Sequence, residues 1–100
     1  MMIFDFDWDD NKARTNLGKH GVSFRLATSV FRDPLAMTIF DEGHSDEEER
    51  WVTLGRAQNG QTLVVVHTSQ SVSATELRIR IISARKADRQ ELRDYEQTPH

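Results

Sequence analysis

Leu63-Val64-Val65-Val66-His67-Thr68 and Leu77-Arg78-Ile79-Arg80-Ile81-Ile82-Ser83-Ala84-Arg85-Lys86 are the two runs whose reading decides the fold. The first is apolar and β-branched almost throughout, which reads as a strand. The second alternates: Leu77, Ile79 and Ile81 share one face, Arg78 and Arg80 the other. That pattern predicts a strand over 77–83 with a core face and a cationic face. Upstream, 50–57 reads as another strand, and Asn59-Gly60 marks a tight hairpin turn leading into 62–68. Residues 69–76 (SQSVSATE) read as a polar loop. Ser83 is expected to cap a final helix over about 84–96, with Ala84, Ala87, Leu92 and Tyr95 turned inward.

Outward from this centre, Phe4, Phe6 and Trp8 alternate with Asp5 and Asp7, which predicts a short strand over 3–8. Asp9 or Asp10 then caps a helix running to about His20, with Gly21 as its left-handed stop and Ala13, Leu17 and His20 along one face. Ser23 caps a second helix, 24–32, whose apolar stripe is Phe24, Ala27, Val30 and Phe31. Asp33-Pro34 ends it, and 35–40 reads as a strand before an acidic loop over 41–49. The order predicts one α+β domain over 1–100: a mostly antiparallel sheet of four to five strands, two N-terminal helices, one C-terminal helix and a loose tail at 97–100. No glycine fingerprint or repeated βαβ unit supports a dinucleotide fold.

Composition narrows the chemistry. The chain has 100 residues and no cysteine, which removes disulfides, thiol catalysis and cysteine-bound zinc. No apolar run approaches membrane-spanning length and the N-terminus lacks a signal pattern, so a cytoplasmic protein with no membrane partner is expected. The net charge of −3 conceals a polarity. Residues 1–50 carry 6 basic and 11 acidic side chains, and residues 51–100 carry 7 and 5. Arg78, Arg80, Arg85, Lys86, Arg89 and Arg93 crowd the end of the chain, and such a patch can bind polyanions despite a negative sum.

Arg85 and Lys86, placed in the first turn of the expected last helix, either oppose its dipole and prepare a phosphate site or pair with the acidic loop. The residues leave both open. His67, at the end of its strand, is either a proton-transfer group or a hydrogen-bonded strand end. Arg50 and Arg56 share a strand face, with Glu49 on the other parity. His20, His44, His67 and His100 lack metal-ligand spacing, and Asp46–Glu49 lacks the glycine of a calcium loop, so no metal or other cofactor is expected.

Phe6-Asp7-Trp8-Asp9, Asn16-Leu17-Gly18-Lys19-His20-Gly21-Val22-Ser23-Phe24, Asp33-Pro34-Leu35, His44 through Arg50, Leu54-Gly55-Arg56, Val65-Val66-His67-Thr68, Arg80 through Ala87, Glu91 and Tyr95-Glu96 together resemble the BrnT family of bacterial toxins, in order and at family-like spacing. The resemblance covers about 4–96 and departs at 69–76, where a shorter or more charged turn is expected. It implies a RelE-like α+β fold and a ribonuclease toxin of a type II toxin–antitoxin module that shuts down translation. It also implies a BrnA-like antitoxin of ribbon-helix-helix type, a 2:2 complex, and operator DNA bound through the antitoxin. The family pattern falls on Glu49, Arg50, Arg56, His67, Arg80, Ser83, Arg85 and Lys86. From the chemistry of metal-free RNA cleavage we expect Arg80, Arg85, His67 and Glu49 as catalytic groups, with Lys86, Arg56, Arg50 and Ser83 on the RNA phosphates. The rival expectations are a non-catalytic antitoxin-binding and DNA-repression subunit, and a metal-dependent nuclease.

Overall fold

The computed structural model describes residues 1–44 and 48–97. Strands are β1 (Ile3–Trp8), β2 (Met37–Phe40), β3 (Trp51–Arg56), β4 (Thr62–His67), β5 (Gln70–Ser73) and β6 (Glu76–Lys86); helices are α1 (Asp10–His20), α2 (Phe24–Thr28) and α3 (Arg89–Glu96). A 3-10 turn, Ser29–Arg32, extends α2. The fold is α+β with a mixed six-stranded sheet in the order β1-β6-β4-β3-β2, β5 lying beside the first half of β6. Four pairings are antiparallel and β1–β6 is parallel. The sheet thus has one strand more than the sequence led us to expect. The stretch read as a polar loop contains β5, which folds back on β6 through Ala74-Thr75. All four β5 residues are exposed, so no apolar alternation could announce it.

α1 and α2 lie on β6, and the 3-10 turn lies on β3, covering one face of the sheet. Between them Val22, Phe24, Ala27, Val30, Leu63, Val65, Ile79, Ile81 and Ala84 form the core. Gly55 permits the close approach of the 3-10 turn. A Cβ there would meet the Ala36 and Val30 side chains at 3.1 Å. The β3–β4 turn closes where expected: Gly60, at φ 88°, donates to Ala57 O at 3.0 Å.

Two expectations need correction. α1 is rotated from the face predicted: Leu17 is half exposed and Asn16 is buried. Its Nδ2 donates to Val22 O (3.0 Å) and Ala84 O (2.8 Å), and its Oδ1 accepts from Ala84 N (3.1 Å). The reason lies in the sheet. β1 ends its pairing at Ile81, so β6 beyond that point has a bare edge, and the Asn16 amide satisfies it as a strand would. The second correction concerns the last helix. β6 continues through Lys86, paired with Leu63, and Ser83 is a strand residue opposite Val66, not a cap. The cap is Asp88, whose side chain accepts from Glu91 N while Glu91 accepts from Asp88 N, a capping box visible as Asp88-Arg89-Gln90-Glu91. Arg85 and Lys86 therefore occupy no first helical turn.

Candidate functional site

Strand register sorts the side chains named from the sequence. Residues paired directly across antiparallel strands share a face. Val64, Val66 and Thr62 oppose Arg85, Ser83 and Arg56, so these three lie together on the face away from α1 and α2. Arg80 joins them, next to the core residue Ile81, and Arg50 precedes Val52 on the same parity. Five of the eight positions thus share one open face: Arg50, Arg56, Arg80, Ser83 and Arg85. Lys86 falls on the helix face, opposite Leu63, and Glu49 is exposed just ahead of β3. A bulge between Ile81 and Ser83 keeps Arg80 and Arg85 on one side despite their odd spacing.

The arginines are held to different degrees. Arg85 makes a bidentate pair with Glu91, Nη1–Oε1 2.8 Å and Nη2–Oε2 2.9 Å. That pairing lowers the Glu91 carboxyl below its ordinary range and holds the guanidinium more firmly protonated. Because Glu91 also closes the capping box, Arg85 ties β6 to the start of α3, and among the described residues its carboxylate partner is Glu91. Arg78 is 3.2 Å from Asp5, whereas Arg80 has a single 3.6 Å approach to Asp7 with both side chains about half exposed. Such a pair contributes about 0–1 kcal/mol and gives way readily to a better anion.

His67 lies on the other side of the sheet. It is 2% exposed, with the edge of Phe31 4.9 Å away. Nδ1 is 2.9 Å from Thr68 O, which can only accept, so Nδ1 carries the proton. Nε2 then accepts from Thr53 Oγ1 at 2.7 Å, and Thr53 accepts from Thr38 at 2.8 Å. Burial pushes its pKa down, with the Thr68 contact partly opposing. A neutral imidazole with both nitrogens engaged beneath the helices does not meet Arg80.

A cluster missed in the sequence links the 3-10 turn, β3 and α3. Asp33 Oδ2 accepts from Tyr95 OH (2.5 Å) and Arg56 N (2.8 Å), and Oδ1 accepts from Leu35 N (2.9 Å). Burial alone would raise the Asp33 carboxyl, but these bonds and the Arg56 charge bring it below its ordinary value. Burial and then the Asp33 carboxylate raise the Tyr95 phenol. Arg56 stands 5.3 Å over the Tyr95 ring. The sequence marks Asp33 only as a helix stop and Tyr95 only as core. The signal available was Asp-Pro-Leu, an Asp able to accept two residues on.

Among the described residues, no three His, Asp or Glu side chains are grouped to hold a metal. Asp46 and Glu47 of the acidic loop, the His44 side chain and His100 lie outside what the structure describes. No helix among the described residues is long and apolar enough to cross a membrane.

Among the described residues, α1, α2 and the 3-10 turn lie on one face of the sheet, and Arg50, Arg56, Arg80, Ser83 and Arg85 lie on the other, where Arg85 is tied to α3 through Glu91. Residues 8–91 match the family described as the ribonuclease toxin, BrnT, of type II toxin–antitoxin systems, and the chain belongs to that family. Its fold is similar to the crystal structure of the Brucella abortus ribonuclease toxin BrnT, with a TM-score of 0.55 and 20% identity, covering 88% of this chain and 100% of the Brucella chain. No curated protein matches.

Proposed function

We propose that this toxin cleaves RNA without a metal, on the arginine face, and thereby halts translation in the cytoplasm. The observation carrying the reading is the convergence of Arg50, Arg56, Arg80, Ser83 and Arg85 on one open face of a chain in a ribonuclease toxin family. RNA supplies its own nucleophile. The 2′-oxygen forms a bond to phosphorus, the bond from phosphorus to the 5′-oxygen breaks, and a 2′,3′-cyclic phosphate and a 5′-hydroxyl result. A base must take the 2′-proton, an acid must return one to the 5′-oxygen, and cations must steady the charge on the phosphoryl oxygens.

Arg80, the loosely paired cation, meets the scissile phosphate. Arg56 and Arg50 hold flanking phosphates, and Ser83 donates a hydrogen bond. Arg85 positions α3 and adds charge from its Glu91 pair. Glu49, at the margin beside Arg50, handles a proton; His67 serves the core. A BrnA-like antitoxin masks this face with acidic or apolar side chains, and a 2:2 assembly carries the toxin to operator DNA. The RelE-like kinship implied by the motifs belongs to the same reading.

The test is total RNA from cells induced for the toxin alone, with cleavage ends mapped, beside purified protein in EDTA. Cyclic phosphate ends, growth arrest and EDTA-resistant cleavage, all lost in Arg80→Gln, are expected. Cleavage abolished by EDTA and restored by a divalent ion would overturn metal independence. Intact RNA with antitoxin binding preserved would favour the non-catalytic repression subunit.

A further inference from the structure

The arginine face does not end at β6. Beyond Ile81 that strand has no β1 neighbour, and its bare edge leads directly onto α1. Between them lies an open pocket of about 310 Å³ lined by Lys12, Thr15, Asn16, Lys19, His20 and Ser83, among others. No Asp or Glu lines it. Lys12 and Lys19 are seven residues apart, two helical turns, and so lie on the same side of α1 as the buried Asn16. Asn16 forms the floor, and its three bonds to Val22 and Ala84 fix the distance between helix and strand. The pocket is held at its base by these bonds, and its ammonium groups stand on the long side chains of Lys12 and Lys19.

Charge pairing separates this pocket from the sheet. Arg78, Arg80 and Arg85 each face a carboxylate. Among the described residues, neither Lys12 nor Lys19 is in an ion pair. Two unpaired ammonium groups, an imidazole and hydroxyls from Thr15 and Ser83 make a set of donors with no competing anion. Ser83 belongs to both surfaces, lining the pocket while sharing the face of Arg80 and Arg85.

We infer that the α1–β6 pocket is a second phosphate site for RNA, formed by Lys12, Lys19, His20 and Ser83, which takes a backbone phosphodiester next to those held on the arginine face. The inference rests on the RNA-cleaving reading above and extends it. The substrate strand crosses the bare edge of β6 at Ser83 and continues along α1. The pocket adds affinity and register, since phosphate contacts position a strand without reading its bases.

The test is binding of a single-stranded 2′-O-methyl RNA oligonucleotide, which lacks the attacking hydroxyl, followed against salt for the full chain. Lys12→Gln/Lys19→Gln is the variant: both positions are exposed, and glutamine has similar helix propensity, so the melt should be unchanged. Each single-strand phosphate contact contributes about 0.7 to the slope of log affinity on log salt, so the double variant should lower it by about 1.4. Arg80→Gln, measured alongside, reports on the sheet. Binding weakened by Arg80→Gln but unaltered by the lysine pair overturns the pocket and leaves the arginine face standing. Binding unaltered by either set removes the RNA reading itself. Loss of antitoxin co-purification with RNA binding intact would make the pocket a protein interface and overturn the inference. Inorganic phosphate should compete with the oligonucleotide beyond chloride of equal ionic strength for the wild type and not for the variant, because both ligands present the same anion to the pocket.

Discussion

The two faces of the sheet hold their polar groups in opposite states. On the helix face, Asn16, Thr53 and His67 are buried and every donor and acceptor they present has a partner inside the protein. On the open face, Arg78 and Arg80 are half exposed and joined to Asp5 and Asp7 by contacts of 3.2 and 3.6 Å. A buried group contributes stability and resists being recruited by a ligand. A screened surface pair contributes little and exchanges partners easily. Residue type does not tell these cases apart; strand parity and the bulge after Ile81 do. His67 and Arg80 sit on neighbouring strands, yet one faces the helices and the other solvent.

That contrast can be broken most severely at Asn16. Asn16→Ala leaves Val22 O and both backbone groups of Ala84 without their partner, at about 1–3 kcal/mol for each buried group left unpaired. A total near 3 kcal/mol should lower the melting temperature by roughly 10–20 °C in a domain of this size. A thermal melt within a few degrees of wild type would show that β6 keeps its edge without the helix.

His67 offers the next effect, and it depends on pH. Its folded pKa lies below the unfolded value near 6.5, so the unfolded chain binds the proton more readily. Stability is therefore full above about pH 6.5 and falls on acidification below it. His67→Gln should cost about 1–3 kcal/mol at pH 8 through its two hydrogen bonds. It should also flatten the stability profile between pH 5 and 7. Asp33 and Glu91, both lowered, lose their contribution only at more acid pH, so the windows separate. Denaturant melts across pH that remain parallel for the two proteins would place the imidazole in water.

Arg85 gives the smallest change. Its pair with Glu91 is bidentate but partly exposed, and Arg85→Gln should lower stability by only about 0–1 kcal/mol. Capping-box geometry survives through Asp88 and Glu91. A rise in melting temperature at low salt would mean that crowding among the cations outweighs the pair.

Much of this molecule is legible in the chain. Alternation in β1 and β6, the Asp9 and Ser23 caps and the Asn59-Gly60 turn all come from local rules that the packing does not override. β5 is illegible because an exposed strand has no apolar face to alternate. The end of β6 is easily misread because Ser83 suits a cap, although Asp88 with Glu91 suits it better and frees two cations from an unfavourable first turn. Arg50 and Arg56 share a face as their parity implies, whereas Ser83 and Arg85 join Arg80 only through the bulge after Ile81, which no local pattern announces. The face taken by His67 is hidden in the sequence, since apolar neighbours on both sides of a strand leave no clue to which one the helices cover; Leu63, Val64 and Val65 are all buried. The Asp33–Tyr95–Arg56 cluster joins residues far apart in sequence, beyond the reach of any spacing rule.

The most direct measurement is RNA cleavage per folded molecule for Arg80→Gln and His67→Gln, each compared with wild type at pH 8. Losing a cation that meets the transition state costs about 10²–10³-fold in rate, and that loss is expected for Arg80→Gln with stability nearly unchanged. His67→Gln should melt lower and cleave at close to the wild-type rate. Full cleavage by Arg80→Gln, with His67→Gln folded and inactive, would contradict the account and put the chemistry on the helix side of the sheet.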